Sequence, residues 1–149
     1  MDDLRDLYQE MILDHGKNPR NKGSVSGPTH AADGHNPLCG DQLRVTMIVG
    51  DDGTISEVRF EGQGCAISTA SASLMTQTVK GKRPNEVKQL IEVFIGVATG
   101  ERDADPDELG KLAVFGGVSE FPARVKCATL SWRTVEAALG ESDDPVTTE

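Results

Sequence analysis

The chain has 149 residues, of which 24 are Asp or Glu and 15 are Lys or Arg, giving a formal net charge of −9 and an isoelectric point near 4.8. That balance leaves no basic footprint for nucleic-acid phosphates or an anionic membrane surface, and no apolar run reaches the length of a bilayer-spanning helix. Hydrophobic residues make up 37% and aromatics 4%, so a single domain with an aliphatic core is expected. The acidic start Met1-Asp2-Asp3-Leu4 lacks the basic and apolar regions of a secretory signal, which points to the cytoplasm. Three cysteines are an odd number for a disulfide framework.

Leu4, Leu7, Tyr8, Met11 and Ile12 fall on one stripe and predict a helix over 2–14, ended by His15-Gly16 and Asn18-Pro19. Residues 16–35 read as a polar connection, with a short edge strand near Thr29–Asp33; His30 and His35 lie in it and read as surface histidines, with His35, four residues before Cys39, also a candidate ligand. The turn Asn36-Pro37-Leu38-Cys39-Gly40-Asp41 follows. Alternation through Leu43, Val45, Met47 and Val49 predicts a strand. Asp51-Asp52-Gly53 signals a hairpin, and Ile55, Val58 and Phe60 predict its second strand. Gly62-Gln63-Gly64 breaks the pattern before Cys65. Ala66–Lys80 then reads as a helix rich in small residues, which places Cys65 at its N-terminal end, where free amides and the dipole favour a thiolate.

Pro84 opens another helix that Gly100 ends. Glu101–Leu112 reads as an acidic, exposed insertion, and Gly116-Gly117 as a loose connection. A last helix is expected over Ala123–Leu139, with Cys127 in its first turns. The class is therefore α+β: an N-terminal helix, a small antiparallel sheet of about three strands, and helices packed on one of its faces. Residues 1–141 are expected to form one domain, and 142–149 a flexible acidic tail.

Thiolates and carboxylates are zinc ligands, but the three cysteines are far apart and form no CxxC pair. Spacing alone leaves two readings open: metal binding, or three inert buried thiols. A shell of three thiolates and one carboxylate is electron-rich, poorly suited to acidifying a bound water and so to hydrolysis.

Three motifs go further. They are Asn36–Asp41; Gly62-Gln63-Gly64-Cys65-Ala66-Ile67-Ser68 running on to Met75 with Val79-Lys80-Gly81-Lys82; and Arg124-Val125-Lys126-Cys127-Ala128-Thr129-Leu130-Ser131-Trp132. Together with Leu7-Tyr8, His15 and Asn18-Pro19, they resemble the IscU/SufU family of iron–sulfur cluster assembly proteins over nearly the whole chain. Within it the chain is similar to the SufU branch. Lys126 stands where IscU-type scaffolds carry a His, Phe121–Lys126 lacks their Leu-Pro-Pro-Val-Lys segment, and the stretch from Glu101 to Gly117 matches a SufU-type insertion. The resemblance implies an IscU-like fold and zinc held by Cys39, Asp41, Cys65 and Cys127. It implies Cys39 as the residue that accepts sulfur from the persulfide of a SufS-type cysteine desulfurase, once a partner histidine has taken its place on the metal. Arg124 and Lys126 would then be site-adjacent and face the negative shell or the partner. Downstream cluster-assembly proteins are further expected partners; nucleic acid and membrane are not. Two alternatives accompany this reading: a scaffold for a transient [2Fe–2S] cluster on the same residues, and a structural zinc module that binds proteins without chemistry.

Overall fold

Every second side chain from Asp41 to Met47 is buried, and the strand they belong to is the middle of the molecule. It is β2 (Asp41–Val49). Antiparallel neighbours flank it: β1 (His30–Asn36) runs in register from His30 opposite Met47 to Asn36 opposite Asp41, and β3 (Ile55–Gln63) runs on the other side from Val49 opposite Ile55 to Gln42 opposite Gln63. This computed structural model describes the backbone of residues 2–37, 40–103, 105–140 and 146–147, and the side chains of the same residues other than 2–8, 106, 108, 146 and 147.

The β2–β3 hairpin closes as expected at Asp51–Gly53. Gly53 sits at φ 86°, a left-handed turn position, and its amide donates to the Gly50 carbonyl at 2.9 Å. The helices cover one face of the sheet: α2 (Ala66–Val79) and α5 (Pro122–Leu139) lie against the strands, while α1 (Asp2–Lys17) packs on α2 and α3 (Pro84–Thr99) on α5. The stripe of α3 buries Val87, Ile91, Phe94, Val97 and Ala98, and Gly100 ends it at φ 84°. Phe94 stacks on Trp132 of α5 at 4.5 Å between ring centroids and meets Phe115 edge-on at 5.6 Å. Among the described residues, no helix is long and apolar enough to cross a membrane.

Three expectations are corrected. First, β1 is a full seven-residue strand between β2 and the chain's C-terminal segment, not a short edge piece. Its composition, with Gly34, His35 and Asn36, hides a strand whose ladder with β2 supplies the order. Second, β3 extends through Gly62-Gln63 rather than breaking before them. Third, the insertion is not loose and exposed throughout. After one helical turn, α4 (Pro106–Leu109), the chain forms a 3₁₀ run over Gly110–Glu120 that buries Leu112, Ala113, Val114, Phe115 and Val118 against α3 and α5. An apolar run of that length would cost more exposed than its irregular backbone costs when buried.

The N-terminal helix also runs further than its stripe, to Lys17. Gly16 is accepted in its last turn because a Cβ there would sit 3.3 Å from Ala66 of α2. After α1 the chain crosses to the outer face of the sheet. Gly23 donates to the Phe60 carbonyl on β3, Ser24 reaches Glu61, and the Val25 amide bonds Thr46 Oγ1 of β2 before β1 begins. At the far end of the chain, β4 (Val146–Thr147) pairs in parallel with Gly34 and His35 on the open edge of β1.

Candidate metal centre

Asp41 is the inward-facing first residue of β2 and is 0% exposed. A carboxylate taken out of water needs hydrogen bonds, and it has one at each oxygen. The Cys65 backbone amide donates to Oδ1 at 2.8 Å, and Asn36 Nδ2 lies 3.5 Å from Oδ2. The approach of the Cys65 amide depends on Gly64, where a Cβ would stand 2.6 Å from Asp41 Oδ1. Gly62, at φ 137°, likewise passes so close to the β2 backbone that any side chain would strike it. These two glycines let β3 run tightly over Asp41 into α2.

Cys65 caps the N-terminus of α2 in extended conformation, as its position predicts, and its Sγ accepts from the Ser68 amide at 3.4 Å. Free amides and the aligned peptide dipoles of a 14-residue helix favour negative charge there. Cys127 sits in the second turn of α5, fully buried, with Sγ 3.7 Å from Asn36 Nδ2 and 3.6 Å from the Ala123 carbonyl. The two helices that carry these thiols are keyed together. Ser71 of α2 donates to the Ala128 carbonyl at 2.5 Å and accepts from Trp132 Nε1 at 3.1 Å. The position of Cys127 relative to Cys65 is thus set by a buried hydroxyl rather than by loops.

The result is a cluster in which one ligand atom each from Asp41, Cys65 and Cys127 lies within 4.8 Å of the others. Thiols combined with a carboxylate, at separations on the scale of a tetrahedral shell, fit zinc. The donor set and its burial are therefore compatible with that ion. Cys39 lies outside the described residues. It belongs to the connection between Asn36 and Asp41, which are paired with each other at the last rung of the β1–β2 ladder and both line the cluster.

The remaining residues singled out from the sequence fall around this centre. Arg124 is exposed in the first turn of α5, and Lys126 is half-buried beside Cys127. His35 alternates to the opposite, outer face of β1, next to a shallow groove bordered by Asp33, Arg44 and Glu61. His30 faces Thr29, with Nδ1 2.9 Å from Oγ1. Sequence reasoning passed over Asn36 and Gly64, which sit inside recognised motifs but show no periodicity or ligand chemistry of their own. It also passed over the partnership of His15 with Ser73, across 2.7 Å, because nothing local links α1 to α2.

The model for the NifU-like N-terminal domain matches residues 7–128. The chain belongs to this family. Among curated relatives, it is 44% identical over 140 residues to the "Zinc-dependent sulfurtransferase SufU" of Bacillus subtilis, covering 94% of each chain. It is 37% identical over 139 residues to the "Iron-sulfur cluster assembly scaffold protein IscU" of Streptococcus pyogenes serotype M1, covering 93% of this chain and 86% of that one. A solved structure from Fervidobacterium islandicum AW-1, assigned as an iron–sulfur cluster assembly scaffold protein for the SUF system, superposes with a TM-score of 0.82 at 32% identity. It covers 91% of this chain and 98% of that one. The expected family and the α+β architecture are both borne out.

Proposed function

We propose that this chain is a zinc-dependent sulfur acceptor for a SufS-type cysteine desulfurase in iron–sulfur cluster assembly, with Cys39 as the accepting residue and Cys39, Asp41, Cys65 and Cys127 as the metal ligands. The observation that carries this reading is the convergence of Asp41, Cys65 and Cys127 from three different elements at the end of the sheet. The similarity to a relative named as a zinc-dependent sulfurtransferase agrees with it. Bound zinc would hold the cysteines as thiolates and protect them from oxidation.

The chain's own residues divide the work. Cys65 and Cys127 are mounted on helices keyed through Ser71, so they stay in place. Cys39 belongs instead to the connection between Asn36 and Asp41, next to Gly40 at φ 70°, a left-handed position that favours glycine. In the transfer, the Cys39 thiolate attacks the outer sulfur of the desulfurase persulfide. The new S–S bond forms as the old one breaks, the desulfurase cysteine leaves as a thiolate, and no external oxidant or reductant is consumed. Arg124 and Lys126 supply positive charge beside an anionic shell and meet the docking partner. Cytoplasmic residence and hand-over of sulfur to downstream cluster-assembly proteins complete the proposal.

Relatives named as IscU scaffolds support a second reading, a transient iron–sulfur cluster on the same residues. Lys126, in place of the His that such scaffolds carry before the third cysteine, argues for sulfur transfer instead. The test is zinc analysis of the purified protein together with a desulfurase assay. Stoichiometric zinc and activation of the desulfurase that is lost in Cys39→Ala are expected. Full activation by a zinc-loaded Cys39→Ala protein would sink the acceptor assignment. Low zinc combined with a stable reconstituted cluster would favour the scaffold.

A further inference from the structure

Asn36 ends β1, and its side chain is 0% exposed. The inward positions before it are Ala32 and Gly34, so a carboxamide closes a face that is otherwise small and apolar. Burying such a group is unfavourable unless its hydrogens find acceptors. Among the described residues they find acceptors on two different elements: Asp41 Oδ2 at 3.5 Å on β2, and Cys127 Sγ at 3.7 Å on α5. Pairing with Asp41 in the ladder is a backbone role that most residues could fill. The contacts of the side chain are not needed for the hairpin.

Both contacts are long, so they aim and offset charge rather than clamp. Their placement is specific nonetheless. Oδ1 of Asp41 is already held by the Cys65 amide, so a donor near Oδ2 biases the orientation of the carboxylate from its second oxygen. The same NH2 group points a partial positive charge at the Cys127 sulfur, which is as fully buried as Asp41.

We propose that Asn36 is a positioning residue of the metal centre. Its NH2 group orients the Asp41 carboxylate and the Cys127 thiolate toward a common point and offsets part of the negative charge gathered there. Groups that orient metal ligands from behind in this way commonly contribute about 10–100-fold in metal affinity. The inference rests on the metal reading given under Proposed function.

The test titrates cobalt(II) into the purified metal-free protein and its Asn36→Leu variant, which keeps the branched shape, adds some bulk and removes both donors. Cobalt affinity is expected to fall by about 10–100-fold. The sulfur-to-cobalt charge-transfer band should move to lower energy, because a thiolate without its hydrogen-bond donor is more easily oxidised, and the circular dichroism of the fold should be unchanged. Affinity within about twofold of wild type and an unmoved band would overturn the role of Asn36 while leaving the metal reading intact. A wild-type protein that takes up no cobalt would overturn the metal reading and this inference with it. A second measurement needs no variant. In wild-type protein loaded with cadmium-113, the Asn36 side-chain amide protons should couple to the metal through Cys127 Sγ, and absence of that coupling would overturn the proposal even if Asn36→Leu fails to fold.

Discussion

Two buried polar clusters lie along α2, and they are built on opposite principles. Along its flank, Ser73 Oγ meets His15 Nδ1 at 2.7 Å and accepts the Arg20 amide at 2.9 Å, while one turn on Thr76 accepts from Asn21 Nδ2 at 3.1 Å and donates to the Ser73 carbonyl at 2.7 Å. Donors and acceptors are matched there at short distances. At the N-terminus of α2, a carboxylate and two sulfurs crowd together, served by one amide at 2.8 Å and by longer contacts from Asn36 and Ser68. The first cluster is complete as it stands and fastens α1 to α2. Among the described residues, the second gathers more acceptors than donors, which is the arrangement that suits a cation. Buried polarity in one helix thus serves structure in one place and chemistry in the other, and the ratio of donors to acceptors separates the two.

The contrast can be broken most severely at the second cluster. Gly64→Ala puts a methyl group against Asp41 Oδ1, and zinc affinity measured by competition with a chromogenic chelator should drop by about 100-fold, while the His15 ring signals in the NMR spectrum stay where they are. Retention of full zinc affinity would show that the Cys65 amide does not set the carboxylate. The opposite perturbation is Ser73→Ala. It strips His15 of a partner in a buried setting and should cost about 1–3 kcal/mol in denaturant unfolding, with zinc affinity unmoved. A matching loss of zinc would mean that the two clusters are coupled.

The mildest perturbation is pH. Burial holds the His15 imidazole below its ordinary value of 6.5, with Arg20 and Lys111 acting in the same direction and Asp14 opposing them. As pH falls, the unfolded chain takes up this proton before the folded one. The stability present above pH 6.5 should therefore decline as pH drops below it toward the lowered folded value. Unfolding midpoints of the metal-free protein across this range, compared with His15→Gln, check the point; an identical pH dependence in the variant would rule out His15 as the source.

The legibility of these features from sequence follows their physics. The apolar stripes of α3 and α5, and a cysteine just ahead of a run of small residues, are local patterns, and they locate helices and the Cys65 cap well. β1 is not local. His, Gly and Asn have no strand preference of their own, and seven rungs with β2 order them. The 3₁₀ run over 110–120 was obscured by Gly116-Gly117, which read as a loose link until Phe115 found Phe94. Within the site, residue type and spacing left metal binding open, and the resemblance to the IscU/SufU family singled out Asp41, Cys65 and Cys127. Asn36 carries no such mark. Its role arises only when α5 brings Cys127 within reach of β1, across 91 residues of chain.

That separation fixes an order of events during synthesis. A ribosome delivers β2 and the start of α2 well before α5, so a growing chain offers Asp41 and Cys65 with no Cys127 to join them. The complete donor set exists only after the last long helix has emerged and docked through Ser71 and Trp132. Truncated or half-made chains therefore lack the complete cluster, and a metal ion that needs all three donors would enter only a chain whose α5 has docked.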